Sequence, residues 1–282
     1  MALILAHSIL RSEEKLLAAA AERRGAALRL WDVRRAPLDR LPAGPGDVLL
    51  ARCVSHGENE TLARFAESRG VRVVNSSPVM ALCGDKAATS ARLEAAGIPQ
   101  PEWRLALSAE AALEAVEELG YPAVLKPLGG SWGRLLARVD GRDAAESIIE
   151  HKEQLGGSNR IFYVQRYVEK GGSDVRAFIL GGEPLCAIRR HSAHWITNTA
   201  RGGRAEGLPL EEPLISLLRS VASALGGDFL AADLFETPGG LLVNEVNDGA
   251  EFRNSIATTG TDIPEALIGH CLHLTGLGRA AA

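Results

Sequence analysis

The chain has 282 residues, 46% hydrophobic and 23% charged. These values exclude a disordered or low-complexity polypeptide and fit one large domain or two smaller ones. Lys and Arg number 31 against 35 Asp and Glu, a formal net charge of −4, which excludes a globally basic nucleic-acid binder but not a local basic groove. The cysteines Cys53, Cys83, Cys186 and Cys271 lie far apart with no C-x-x-C pair, so neither a zinc site nor a disulfide framework is expected. No apolar run approaches the roughly 18 residues of a membrane span. Met1 leads straight into a strand-like segment without a basic leader. A soluble cytosolic protein without membrane or nucleic-acid partners is expected.

Residues Met1 to His7 read as a buried strand, followed by a helix over Ser12 to Arg24 that Gly25 stops. Leu28 to Val33 and Val48 to Ala51 are further strands. A helix over Glu58 to Arg69 ends at Gly70, and a strand follows over Val71 to Val74. Strand and helix alternating in this way predict a parallel sheet with crossover helices. No G-x-G-x-x-G follows the first strand, so a dinucleotide-binding domain is disfavoured. Asp85 to Ala96 reads as a helix stopped by Gly97, and Pro99 and Pro101 force an extended link. A small α/β unit comes next: a helix over Ser108 to Leu119, strands over Ala123 to Lys126 and Leu135 to Val139 around a glycine-rich turn, and a helix near Asp143 to Lys152. The last part opens with a strand over Ile161 to Val168. Two hairpins follow, Val175–Leu180 with Leu185–Arg190 and Phe229–Phe235 with Leu241–Asn247, turning at Gly181-Gly182 and Pro238-Gly239-Gly240.

Three segments carry candidate chemistry. In VLKPLGGSWGRLL (Val124 to Leu136) a lysine closes an apolar strand, a glycine-rich loop follows, and an apolar strand resumes. Backbone N–H groups of such a loop can close over phosphates with Lys126 adding charge; the alternative is an ordinary hairpin turn with a solvated lysine. In the second hairpin, a turn at Pro238-Gly239 puts Glu245 opposite Asp233, with Asn247 on the same face. Facing carboxylates inside an apolar hairpin need neutralising. Their oxygens suit Mg²⁺ or Mn²⁺ shared with a phosphate, and the alternatives are solvent or arginine partners. The third segment, Arg189 to Arg204, holds Arg189, Arg190, His191, His194, Asn198, Arg201 and Arg204 around Gly202-Gly203, a composition that fits carboxylate or phosphate binding. His191 and His194 lack a third ligand of zinc type. No G-x-S-x-G, H-E-x-x-H, H-R-D or D-F-G motif is present.

With these segments in this order, the sequence resembles the ATP-grasp carboxylate–amine ligases, and within them the LysX/RimK-like group. The resemblance covers nearly the whole chain. It rests on GDKAATSARLEAAGIPQP (Gly84 to Pro101), KPLGGSWGRLLARV, RRHSAHWITNTARGG (Arg189 to Gly203), NEVN and TTGTDIP. It implies an α/β (α+β) ATP-grasp fold: an N-terminal Rossmann-like preATP-grasp domain over 1–85, a central lid subdomain over 86–164 and a C-terminal domain over 165–282. By position, Lys86 and Lys126 would contact nucleotide phosphates, under a loop of Gly129, Gly130, Ser131, Trp132, Gly133, Arg134 and Leu135. The hinge would be Gln165, Arg166, Tyr167 and Val168, running on to Lys170, with Asp174 a further nucleotide contact. Asp233, Glu245 and Asn247 match the metal ligands. Arg190, Asn198 and Arg201 fall in the catalytic region. Arg189, His194, Thr199, Gly202, Gly203, Asn254, Thr258, Thr259 and Gly260 fall in the amino-acid region, the last three placed where a helix would begin and offer N–H groups to a carboxylate. Two departures stand out: Arg166 where the hinge commonly carries Glu, and an acidic Asp248 directly after Asn247.

The activity implied is ATP-dependent, Mg²⁺-supported ligation of the 2-aminoadipate α-amine to the C-terminal carboxylate of a small acidic LysW-type carrier protein, through an acyl phosphate and in a homo-oligomer. Glutamate as the amino acid, glutamate addition to another protein, and a non-catalytic nucleotide-binding module are the alternatives.

Overall fold

The computed structural model describes residues 1–130, 135–197 and 204–276. The first four strands, β1 (Leu3–His7), β2 (Leu28–Asp32), β3 (Val48–Ala51) and β4 (Arg72–Val74), form a parallel sheet in the order β2-β1-β3-β4. β1 pairs with β2 on one side and β3 on the other, Leu3 facing Leu28 and Val48. Loops leaving β1 and β3 therefore diverge, and the crevice between them opens at the carboxyl ends of the strands. Helices α1 (Ser12–Arg23) and α2 (His56–Glu67) cross over between strands as the alternation predicts. The Ser55 hydroxyl caps α2 by accepting the Glu58 N–H.

Helices α3 (Ser77–Gly84) and α4 (Lys86–Ala95) follow. The apolar stretch of α3 carries no clear period, so it is not legible as a helix. Asp85 separates the two, and its carboxylate accepts the N–H groups of Ala87 and Ala88 at 2.8 and 3.0 Å. That cap fixes Lys86 as the first residue of α4.

The central unit is an antiparallel sheet, β5-β8-β6-β7, made of β5 (Trp103–Ala106), β6 (Ala123–Lys126), β7 (Ala137–Val139) and β8 (Phe162–Arg166). Helices α5 (Ala109–Leu119) and α6 (Arg142–Leu155) share a core with it through Val116, Leu119, Ile149 and Phe162. The strand expected to open the last part of the chain is β8, and it instead pairs with β5 and β6.

The third sheet is antiparallel, in the order β11-β10-β9-β12-β13: β9 (Ser173–Leu180), β10 (Glu183–His191), β11 (Arg204–Leu208), β12 (Phe229–Thr237) and β13 (Gly240–Asn247). One face, carrying Val175, Ala177, Ile179, Leu230, Ala232 and Leu234, buries against α4 and α7 (Leu214–Leu225). Part of the other face, Phe178, Cys186, Phe229 and Ala231, packs on α1 and α9 (Ile263–Leu274). The remainder of that second face is open and polar. Helix α8 (Arg253–Thr259) lies between β13 and α9.

Candidate active site

Strand alternation builds the site. Asp174 and Arg176 on β9, Arg190 on β10 and Asp233 on β12 share the open face, with Arg176 opposite Asp233 and Asp174 opposite Arg190. They line a cavity of about 330 Å³ whose other walls are Lys126 and Gln165 to Val168 of the central unit, Arg11, Cys53 and His56 beyond the strand ends of the N-terminal sheet, and residues 247–251 and 253–255. The cavity thus lies where all three sheets meet.

Glu245 faces Asp233 as the residue count predicts, but by way of a β-bulge between Asp233 and Leu234. The bulge leaves Asn244 as an extra residue, so Asn244 and Glu245, neighbours in sequence, both reach the cavity. Arg176 binds Asp233 through Nε and Nη2 at 2.7 and 2.8 Å, and Arg190 Nη2 approaches to 3.2 Å. Burial alone would raise the Asp233 carboxyl, yet the two guanidiniums hold it well below the usual carboxylate range. Glu245 lies 3.4 Å from the Lys86 ammonium. Arginine and lysine thus share the neutralising role that a cation would otherwise carry alone.

The donor set fits a hard divalent cation. Asp233, Glu245 and Asn247 offer only oxygen from one face of one hairpin, and all three line the cavity. Among the described residues no third His, Cys, Asp or Glu joins them, which leaves positions for substrate oxygens and does not suit zinc.

On the phosphate side, Lys126 is 5% exposed, and burial pushes its ammonium down to about 8. Its Nζ donates to Asn244 Oδ1 at 2.8 Å. Lys86 Nζ donates to Gly130 O at 3.1 Å and its backbone N–H to Leu128 O at 3.1 Å, which ties the start of α4 to the entry of the glycine-rich loop. Gly130 has φ +122° and Leu135, at the far end, φ +58°. A non-glycine residue in that region is uncommon, and Leu135 is exposed there. Ser131, Trp132, Gly133 and Arg134 lie outside the described residues.

Buried Gln165 and residues Arg166, Tyr167 and Val168 also line the cavity. Arg166 pairs with Glu102, which directly precedes β5, so the charge that departs from the family pattern is compensated locally. Tyr167 is held between Arg138, 4.3 Å from its ring centroid, and the edge of Trp195. Asp174, 4% exposed, organises three groups: Arg190 Nε at 2.7 Å, Lys170 Nζ at 3.5 Å and the Thr197 hydroxyl. The second departure, Asp248, is paired as well. It lies 3.4 Å from His56 Nε2 and holds that imidazole above its ordinary value.

Several expected residues are elsewhere. Arg189 alternates with Arg190 along β10, so it projects from the other face and is bound by Glu236 at 2.7 and 2.8 Å. His194 is exposed, and its Nδ1 accepts the Ile196 N–H; His191 pairs with Glu206. Thr258, Thr259 and Gly260 end helix α8 rather than begin one. Gly260 N–H donates to Ile256 O, and α9 starts only at Ile263, behind Asp262. A helix end of that polarity presents carbonyls and disfavours a carboxylate. A Cβ on Gly207 would sit 2.7 Å from Thr258 O, so β11 closes over this turn. Asn198, Thr199, Arg201, Gly202 and Gly203 lie outside the described residues. Asn254 does line the cavity.

Three contributors escaped the sequence reading: Arg176, Asn244 and Arg253. Arg176 could have been found by pairing β9 with β12, which chain order conceals. Asn244 depends on the bulge. Arg253 lines the cavity beside Asn254, and its Nη1 donates to Ser12 Oγ at 3.2 Å. The other cavity-lining arginines Arg11, Arg166, Arg176 and Arg190 each meet a carboxylate; Arg253 meets none among the described residues.

Known proteins are similar in sequence and fold. Residues 3–82 match the LysX preATP-grasp domain and residues 83–271 the RimK-like ATP-grasp domain. The chain is 36% identical to the glutamate–LysW ligase ArgX of Sulfurisphaera tokodaii, over 95% of this chain and 97% of that one. It is also 36% identical to the alpha-aminoadipate–LysW ligase LysX of the same organism, over 80% of each chain. The crystal structure of a RimK domain ATP-grasp protein from Sphaerobacter thermophilus superposes with a TM-score of 0.78 at 31% identity, covering 95% of this chain and 98% of that one. With these domains in this order, the chain belongs to the RimK-like ATP-grasp family of ATP-dependent carboxylate–amine ligases, with a LysX-type preATP-grasp domain at its N-terminal end.

Proposed function

We propose that this ligase joins the α-amine of 2-aminoadipate to the C-terminal carboxylate of a small LysW-type carrier protein, using ATP with Mg²⁺ or Mn²⁺. The observation that carries the reading is the cavity itself. It is lined together by Lys126, which has no carboxylate in contact among the described residues, by the Asp233–Glu245–Asn247 oxygen set, and by Arg253, which has no carboxylate partner among them either. A nucleotide triphosphate would have its phosphates toward Lys126 and Lys86 and its base toward the Gln165–Val168 segment. Asp233, Glu245 and Asn247 would hold the divalent cation, which would supply charge neutralisation for the phosphates.

The protein's own groups position and neutralise. The carrier carboxylate attacks the γ-phosphate and forms an acyl phosphate, releasing ADP; the amine then attacks the acyl carbon and inorganic phosphate departs. Arg190, fixed by Asp174 and Asp233, is placed to steady charge on the transferred group. No protein nucleophile is required, because charge neutralisation and orientation supply the rate. Arg253 is the cation left for a substrate carboxylate.

The choice of 2-aminoadipate rests on the Arg189 to Gly203 string. Glutamate is the second reading, favoured by the ArgX relative aligning over 95% of this chain against 80% for LysX. The two amino acids differ by one methylene, which burial alone distinguishes by about 1–3 kcal/mol. The test is kcat/KM for each amino acid on one LysW-type carrier, read by carrier mass. A preference for glutamate of about tenfold or more assigns the second reading, and no ligation with either removes the carrier from the function.

A further inference from the structure

The turn after the candidate metal ligand Asn247 is held from the N-terminal sheet. Asn75, just beyond β4, is 2% exposed. Its Oδ1 accepts the N–H groups of Asp228 and Phe229 at 2.6 and 2.9 Å, and its Nδ2 donates to Phe229 O and Asp248 O at 2.6 and 2.7 Å. All four hydrogen-bonding positions of the amide are thus used. Phe229 opens β12 and Asp248 follows β13, while the last rung of the ladder is Ala231 with Asn247. The Asn75 amide therefore serves as one more rung, closing the hairpin at the end that carries the ligands. Arg52, 4% exposed, adds a second hold. Its Nη1 donates to the carbonyls of Gly249 and Ala250 at 3.3 and 3.4 Å, while Nε rests on the buried Glu14 carboxylate at 3.2 Å.

We propose that Asn75 and Arg52 are positioning residues for the divalent cation, so that the N-terminal domain sets the affinity of a site whose ligands all belong to the C-terminal sheet. The inference rests on Asp233, Glu245 and Asn247 being those ligands. An unclosed hairpin end frays, and ordering it would then fall on cation binding. A carbonyl-directed clamp holds Asn247 in place beforehand. Neither residue needs to touch the cation.

The test measures Mn²⁺ binding, from the electron paramagnetic resonance of the free ion in the presence of ADP, alongside thermal melting. The proteins are wild type, Asn75→Ser, Arg52→Lys, and Ile4→Val as a core variant of lowered stability. Arg52→Lys keeps a cation beside Glu14 and removes the paired carbonyl contacts. Weakening of Mn²⁺ binding by about fivefold or more in the two clamp variants, with cooperative melting, supports the proposal. Ile4→Val lowers the melting temperature and leaves Mn²⁺ affinity unchanged. Unchanged Mn²⁺ affinity in a folded clamp variant overturns it. If neither clamp variant folds, hydrogen exchange on wild type decides: amides 247–251 equally protected with and without Mn²⁺ support a preformed site, and protection gained only with Mn²⁺ overturns it. Wild type that binds no Mn²⁺ with ADP would instead overturn the ligand assignment.

Discussion

Glu245 and Arg253 occupy opposite ends of one requirement, that charge in the cavity be compensated by whatever enters it. Glu245 faces Asp233, and its cationic neighbour is Lys86 at 3.4 Å. Glu245→Gln keeps the shape and relieves like-charge repulsion, so the fold is expected to survive. Metal-dependent ligation should fall at least tenfold, about 1.4 kcal/mol in the barrier; a wild-type rate would remove Glu245 from the cation site. Among the described residues the Arg253 guanidinium has the Ser12 hydroxyl as its hydrogen-bond partner and no carboxylate. Loss of a charge-assisted contact to a substrate carboxylate is worth about 1.5–3 kcal/mol. Arg253→Met should therefore raise the KM of the amino acid or of the carrier by about tenfold or more, with KM for ATP nearly unchanged. Initial rates with each substrate varied in turn separate these outcomes, and a uniform fall in kcat alone would contradict the assignment.

At the scale of elements, the β12–β13 hairpin shows what a sequence conveys and what it hides. Counting outward from Pro238-Gly239-Gly240 paired Glu245 with Asp233, and the pairing holds only because two departures cancel: the turn is one residue tighter, Thr237 pairing with Gly240, and the bulge makes up that residue. The bulge at Asn244 was invisible, because strict alternation and a one-residue insertion leave the same apolar pattern over such a short strand. The same limit explains Arg189 and Arg190. Both looked available for anions, but only the strand's period, known once β10 is placed between β9 and β11, assigns one to each face. Thr258 to Gly260 misled for another reason: a Thr-Thr-Gly run precedes α9, yet Gly260 is the left-handed C-cap of α8 at φ +70°. The parallel N-terminal sheet was legible because its buried strands β1 and β3 are short apolar runs and helical patterns join β1 to β2 and β3 to β4. The bulge itself is testable. Deleting Asn244 restores a regular ladder that still places Glu245 opposite Asp233, while Lys126 loses its 2.8 Å partner. We expect a folded protein whose cation requirement persists and whose KM for ATP rises by roughly tenfold. Calorimetric titration of ADP gives the same comparison without turnover, and unchanged nucleotide affinity would show that Lys126 does not depend on the bulge.

Across the whole molecule, the N-terminal sheet and the C-terminal unit are joined by buried polar groups as well as by the shared apolar core of Leu3, Leu5, Phe178, Phe229 and Ile268. Asp228, at the entry to β12, is the central example. Its carboxylate meets Arg72 of β4 at 2.9 and 3.0 Å and His270 of α9 at 2.9 Å, while its N–H is held by Asn75. One residue thereby links β4, α9 and the start of the metal hairpin. Burial pushes the Asp228 carboxyl up, but His270 and Arg72 outweigh it and hold the group below its ordinary value. A depressed carboxyl binds fewer protons in the folded state than in the unfolded one. Its contribution is therefore complete above the unfolded value of about 4 and is lost as pH falls through the folded value. Arg72 is 54% exposed, so solvent screening keeps that half of the interaction small. Asp228→Asn should lower stability at pH 7 by about 1–3 kcal/mol, chiefly by removing the charge that Arg72 and His270 meet and by putting an NH2 donor where one acceptor oxygen stood. The gap between variant and wild type should then narrow steadily below about pH 4, where the wild-type carboxyl begins to take up its proton. Urea midpoints for both proteins at intervals from pH 7 to pH 3 measure this directly. A gap of constant size across that range would show that the junction is held by shape and apolar contact, with the Asp228 charge playing no part.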